Sequence, residues 1–315
     1  MTKYRSDPPQ LQGGLFLTDG GIETTLIFHE GLDLPYFAAF HILRDDSGRA
    51  ALRRYYARYI EIARREDAGF ILESPTWRAS SDWGRKLGYS EEELARANRD
   101  SIALMRELRD EFETGLTPIV ISGCVGPRGD GYDPGQVMRP EEAAAYHGSQ
   151  IRTFGEAGVD MVTAITMTNA NEAIGVTRAA REAGVPVAVS FTLETDGRLP
   201  TGQDLKEAIE EVDEATSGGP IYYMINCAHP THFAAVLIVL DAWVERVRGV
   251  RANASRRSHQ ELDGAPDLDD GDPVELGRQY GDLLKRHPQI NVLGGCCGTD
   301  HRHVEQIGMA CKLVA

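Results

Sequence analysis

Eight times along its 315 residues the chain repeats one pattern: a short β-rich run, a polar glycine-containing turn, then a helical stretch. The runs are Leu15–Thr18, Phe70–Glu73, Thr117–Ser122, Val159–Thr166, Val185–Phe191, Ile221–Cys227, Val247–Asn253 and Ile290–Gly295. Their brevity and β-branched content predict strands buried on both faces. Helical spacing follows over Ala50–Asp67, Glu91–Glu113, Pro140–Ala157 and Asn171–Ala183. Ser90 before Glu91-Glu92-Glu93 reads as a capping box, and Pro140 suits a first helical turn. Gly69, Gly158 and Gly184 each stand where a helix must stop before a strand.

Strict alternation implies a parallel sheet, and eight units favour a closed (β/α)8 TIM barrel over an open doubly wound α/β sheet. The first strand runs into Asp19-Gly20-Gly21 and not into the glycine fingerprint of a dinucleotide fold. The expectation is one barrel domain over residues 1–315. Its irregular part is a long acidic loop at about 254–272, with Arg256, Arg257, Asp267, Asp269, Asp270 and Asp272 between Pro266 and Pro273 or just before them. That loop is either a solvated linker or a lid over the catalytic face.

Lys+Arg 33 against Asp+Glu 48 gives a formal charge of −15, which disfavours nucleic acid and anionic membranes as partners. Met1–Gly14 has no apolar stretch for a signal peptide, and Phe233–Leu240 is too short to span a bilayer. A cytoplasmic location is expected, with small-molecule partners and a homo-oligomer left open. Five cysteines in such a chain read as thiols or ligands before disulfides.

Catalytic residues of a barrel cluster at the C-terminal ends of its strands. Cys227 ends the sixth strand, and Cys296 and Cys297 end the eighth, so the three can converge across the mouth. Gly294, Gly295 and Gly298 would let the backbone turn both vicinal cysteines toward one ion. Three thiolates make a tetrahedral zinc site with one position open, as a catalytic zinc requires. The competing readings are small buried hydrophobes, applied here to Cys124 and Cys311, or a vicinal Cys296–Cys297 disulfide.

Gly294-Gly295-Cys296-Cys297-Gly298-Thr299 resembles the GGCCGT signature of the homocysteine S-methyltransferases, and Asn226-Cys227 resembles their upstream NC element. Asp19-Gly20-Gly21 with Glu23-Thr24, Thr76-Trp77 through Ala79-Ser80, Gly123 to Gly126-Pro127, and Ser190-Phe191 with Gly202 are similar to further family elements, in the same order. The resemblance implies Zn2+ on Cys227, Cys296 and Cys297. It also implies methyl transfer from a sulfonium or quaternary ammonium donor to the thiol of homocysteine, giving methionine, or to a related thiol. The nucleophile would be the zinc-bound substrate thiolate, with no protein nucleophile. Asp19, Gly20, Glu23, Thr76, Trp77, Ser190 and Asn226 are the candidate substrate-binding residues. Trp77 is either an aromatic wall for a cationic donor or a ring packed under a loop. Asp19 either binds a substrate cation or caps local amides.

Two departures stand out. Ile165 occupies the place of the family's fourth-strand glutamate, so the acceptor is another thiol or Glu23 or Glu194 substitutes. The seventh-strand element is Ala252-Asn253-Ala254-Ser255. The alternatives are a thiol-activating subunit fed by a partner methyl-corrinoid protein, and a zinc-binding relative without methyltransferase activity. A zinc hydrolase on the same fold is disfavoured, because His301 and His303 are expected to be exposed at a helix start.

Overall fold

The β-branched runs form eight strands in the computed structural model, which describes residues 2–238, 241–263, 265 and 267–314. Val239 and Leu240 of the aliphatic run and Gly264 and Pro266 of the acidic loop lie outside the described residues. The strands are β1 (Phe16–Leu17), β2 (Gly69–Glu73), β3 (Ile119–Val125), β4 (Met161–Met167), β5 (Val187–Thr192), β6 (Tyr222–Asn226), β7 (Val247–Ala252) and β8 (Val292–Gly295). Each pairs in parallel with the next, and β8 closes on β1.

The helices are α1 (Asp46–Arg65), α2 (Ser81–Lys86), α3 (Glu91–Phe112), α4 (Pro140–Ala157), α5 (Ala170–Glu182), α6 (Leu205–Thr216), α7 (Pro230–Phe233), α8 (His259–Asp263), α9 (Pro273–Arg286) and α10 (His301–Lys312). Among the described residues no helix is long and apolar enough to cross a membrane. The Ser90 capping box is present at α3, and Gly158 ends α4 with φ 79°. Gly69 does something else. It opens β2 against the ring of Phe16, where a Cβ would collide, and Asp67 takes the left-handed turn with φ 53°.

The chain after β6 departs from the pattern. The run from Phe233 has no polar stripe to face solvent, and among its described residues α7 ends at Phe233 and a 3-10 turn spans Val236–Ile238.

Alternation along the strands builds the barrel in layers. Phe16, Ile71, Val120, Met161, Ala188, Tyr222, Met224 and Val292 form an apolar plug inside it. Further along most of the strands the interior turns polar. Glu73, Ser122, Thr163, Ser190, Asn226 and Arg251 are all buried there. The outward-facing Phe70, Leu72, Ile121, Val189 and Leu293 pack under the helices in a larger core. The apolar plug lies below the polar layer, and the cavity lies above it at the C-terminal mouth.

Candidate metal centre

At that mouth the sulfurs of Cys227, Cys296 and Cys297 lie within 4.8 Å of one another. They come from the tips of β6 and β8, as the strand count implied. The glycines act differently from expectation. Gly294 and Gly295 stay in β8, where a Cβ would strike Thr18 and Thr299, so they supply room. The turn is made by Gly298 with φ 78° and by Cys227 itself with φ 50°. A non-glycine residue in that region is sparsely populated, and such strain gathers at functional sites. Thr166, with φ 64°, repeats it on β4, where the register against β5 slips.

Asn226 joins the two strained residues. Its Oδ1 accepts from the Thr166 amide at 3.0 Å and from Ser190 Oγ at 2.6 Å. Its Nδ2 donates to Thr166 Oγ1 at 2.8 Å and points at Cys296 Sγ at 3.8 Å. Asn226 therefore orients a sulfur from behind the cavity wall. Thr76 has a similar placement, donating to the carbonyl of Cys124 at 2.8 Å. Neither they nor Ser190 line the cavity, whereas Asp19, Gly20, Glu23 and Trp77 do.

Cys227 and Cys296 are joined through their sulfurs, with their Cα atoms 5.4 Å apart. The two sulfurs that meet are not those of the vicinal pair Cys296 and Cys297. Cys297 Sγ lies 3.7 Å from Cys227 Sγ. Two sulfurs each roughly 2.3 Å from a tetrahedral zinc ion would sit roughly 3.8 Å apart. The donor set and that separation fit zinc. Sulfur ligands also disfavour magnesium and calcium. Cys124 and Cys311 are buried, and burial pushes both thiols up, Cys311 to about 12. Cys124 nonetheless forms part of the cavity wall.

Two loops meet over the sulfurs. Tyr132, on the loop after β3, places its hydroxyl 3.1 Å from Cys297 Sγ and 3.6 Å from Cys227 Sγ. Its ring stacks on His259 at 4.0 Å. His259 bridges the Cys227 carbonyl at 2.5 Å and Glu194 Oε1 at 3.0 Å. The acidic segment thus packs onto the mouth through α8 and does not behave as a free linker. Ser255 donates to Asp269 at 2.7 Å, and Arg302 holds Asp270 at 2.7 Å. His303, expected to be exposed, is fully buried, because it lies between Asp300 and the Asp270 carbonyl at 3.1 and 2.8 Å. Sequence reasoning missed Tyr132 and His259. The available signal was one aromatic in the glycine- and aspartate-rich stretch Gly129–Gly135.

The polar layer is built on Arg251. Its guanidinium donates to Asp19 Oδ1 at 2.6 Å, to Glu73 Oε2 and to the Gly295 carbonyl at 3.1 Å, tying together the tips of β1, β2, β7 and β8. Tyr55 donates to Asp19 Oδ2 at 2.9 Å. Burial pushes the carboxyls of Asp19 and Glu73 up, and Arg251 opposes it. Burial disfavours the charge of Arg251 too, but its two carboxylates hold it above the ordinary arginine range. Burial also raises Glu23, to about 7. Trp77 already carries the Arg78 guanidinium 3.9 Å above its ring, which leaves at most one face for another cation.

A parallel (β/α)8 barrel with three cysteine sulfurs converging at its C-terminal mouth defines a class, barrels with a sulfur-lined candidate metal centre at the catalytic face. The homocysteine S-methyltransferase family model matches residues 16–311. Homocysteine S-methyltransferase 3 of Zea mays is 22% identical over 94% of this chain and 89% of its own length. Selenocysteine methyltransferase of Astragalus bisulcatus is 23% identical over 89% and 87%. The homocysteine methyltransferase MmuM from Escherichia coli superposes in its oxidised form with TM-score 0.77 at 18% identity, covering 94% of this chain and 95% of that one. Its metallated form gives TM-score 0.74, also at 18% identity, over 98% and 99%. The chain belongs to the homocysteine S-methyltransferase family, and it is a methyltransferase with a thiol acceptor.

Proposed function

We propose that this enzyme moves a methyl group from a sulfonium or quaternary ammonium donor to the thiol of homocysteine, giving methionine, with zinc held by Cys227, Cys296 and Cys297. The observation that carries the reading is the convergence of three sulfurs at one cavity, two of them at the spacing a tetrahedral ion requires. A free thiol titrates near ~8.5 and is mostly protonated at neutral pH, although the thiolate is the nucleophile. Zinc, when bound, supplies the positive charge that favours the acceptor's thiolate.

The chain's own groups do the rest. Asn226 fixes Cys296, Tyr132 meets Cys297, and the plug closes the barrel below so that the acceptor enters from one side. Asp19, Gly20, Glu23 and Trp77 line the cavity and are the groups we assign to substrate contact. Thr76, Ser190 and Asn226 act from behind the wall. Attack on a methyl group bound to a charged heteroatom needs alignment more than proton transfer, so no protein base is required. A chemistry that depends on reduced thiols suits the cytoplasm, where we place the enzyme.

The test is a panel of acceptor and donor pairs on reduced, zinc-supplemented protein. Homocysteine would be paired in turn with S-methylmethionine, S-adenosylmethionine, betaine and dimethylsulfoniopropionate. Methionine from at least one pair supports the reading, and no product from any pair contradicts it.

A further inference from the structure

We propose that Glu23 holds the α-ammonium group of the acceptor, which makes the enzyme specific for amino-acid thiols over simple ones; the inference rests on the methyl-transfer reading above. Three carboxylates line the cavity among the described residues: Asp19, Glu23 and Glu73. Two are already engaged, since Arg251 pairs with Asp19 and Glu73 at once and Tyr55 takes the second oxygen of Asp19. Glu194 is bonded to His259 and is not part of the cavity wall. Among the described residues no side chain is hydrogen-bonded to the Glu23 carboxylate, which meets its own backbone amide. Glu23 is half-buried in the cavity wall, and a carboxylate there without a side-chain partner is a ready seat for a cation.

Its position matches the demand. The turn that carries Glu23 is fastened to the cysteine loop on both sides. Gly21 donates its amide to the Thr299 carbonyl at 3.0 Å, and Thr24 Oγ1 accepts from the Gly298 amide at 3.0 Å. Gly21 runs so close to Cys296 that a Cβ would lie 2.7 Å from its carbonyl oxygen. A thiol at the three sulfurs therefore shares one cavity with Glu23, and the amino group of homocysteine is only a few bonds from its sulfur.

The cation could also be the donor's. Electrostatics separates the acceptor's ammonium from the donor's reacting centre, and the donor KM measured below separates it from any α-ammonium the donor carries. The donor's sulfonium or quaternary ammonium centre loses its positive charge as the methyl group leaves, so a carboxylate against that centre stabilises the ground state more than the transition state. The acceptor's ammonium keeps its charge throughout, and binding it costs no rate.

The experiment compares wild type and Glu23→Gln, both reduced and zinc-loaded, with homocysteine and with 4-mercaptobutanoate, which lacks the amino group. Homocysteine binding is also titrated calorimetrically without donor. Glu23→Gln should weaken homocysteine binding and raise its KM by about 10- to 100-fold, as expected for a lost charge-assisted hydrogen bond. Zinc content, donor KM and the KM for 4-mercaptobutanoate should not move. Glu23→Asp should fall between the two. An unchanged homocysteine KM, or a rise in the donor KM alone, overturns the assignment and leaves the methyl-transfer reading standing. Wild-type protein inactive with every pair overturns both.

Discussion

The hydroxyl of Tyr132 stands 3.1 Å from Cys297 Sγ, so a residue from the β3 loop rests on a sulfur 165 positions later in the chain. Stacking on His259 fixes its ring, and His259 in turn holds the Cys227 carbonyl. Tyrosine and histidine thus couple the two loops to the two strand tips that carry the three sulfurs. Tyr132→Phe removes the hydroxyl and keeps the stack. A hydrogen bond to a charged group contributes about 1.5 kcal/mol or more, which is roughly tenfold. We expect kcat/KM to fall about tenfold with the zinc content unchanged, read by steady-state kinetics beside metal analysis. Unchanged kinetics would reduce Tyr132 to a packing residue.

The bonded Cys227–Cys296 pair and a three-sulfur metal site exclude each other, because a disulfide sulfur is no longer a thiolate ligand. Oxidised protein should show three titratable thiols in denaturant, the five cysteines less the bonded pair. It should also take up no zinc until a reductant is added. Reduction followed by zinc should raise Tm, because an ion that binds only the folded state stabilises it. Zinc uptake by fully oxidised protein would contradict the shared-ligand geometry.

Arg251 neutralises two carboxylates inside the barrel. Arg251→Met would leave Asp19 and Glu73 as buried, uncompensated acids. Removing one partner of a buried pair costs about 3–5 kcal/mol. Urea unfolding should show a loss of that size. It should be smaller in the Arg251→Met, Glu73→Gln double variant, where one of the stranded charges is gone.

The pH dependence of acceptor binding follows from Glu23. Burial pushes its carboxyl up to about 7 from an ordinary 4.5, with Asp19 adding repulsion and Arg78 and Arg251 opposing it. At pH 6 the group is mostly protonated and cannot pair with an ammonium. At pH 8 it is ionised and can. Homocysteine affinity should therefore strengthen from pH 6 to 8 in wild type by more than in Glu23→Gln, where only the thiol titrates. Parallel profiles for the two proteins would sink the assignment.

Much of this was legible in the sequence because it is local. β-branched runs marked the strands, Ser90 and Gly158 marked helix ends, and Cys227, Cys296 and Cys297 fell at strand tips whose order in a barrel is fixed by chain order. What was not legible depends on distant partners. Nothing around Arg251 reveals that its guanidinium reaches Asp19 and Glu73, and nothing near Tyr132 points to His259. The shortness of α7 after β6 and the buried His303 have the same origin. Local pattern predicts a period, but the contacts that override it come from elsewhere in the chain.

The central claim is that three cysteines hold a zinc on which methyl transfer depends. Its most direct test is zinc content and methyl-transfer activity measured on one reduced preparation of wild type beside Cys297→Ala. The account predicts about one zinc per wild-type chain, with both zinc and activity lost in the variant while the barrel stays folded. Activity in zinc-free wild type, or a fully active, zinc-replete Cys297→Ala protein, would contradict it.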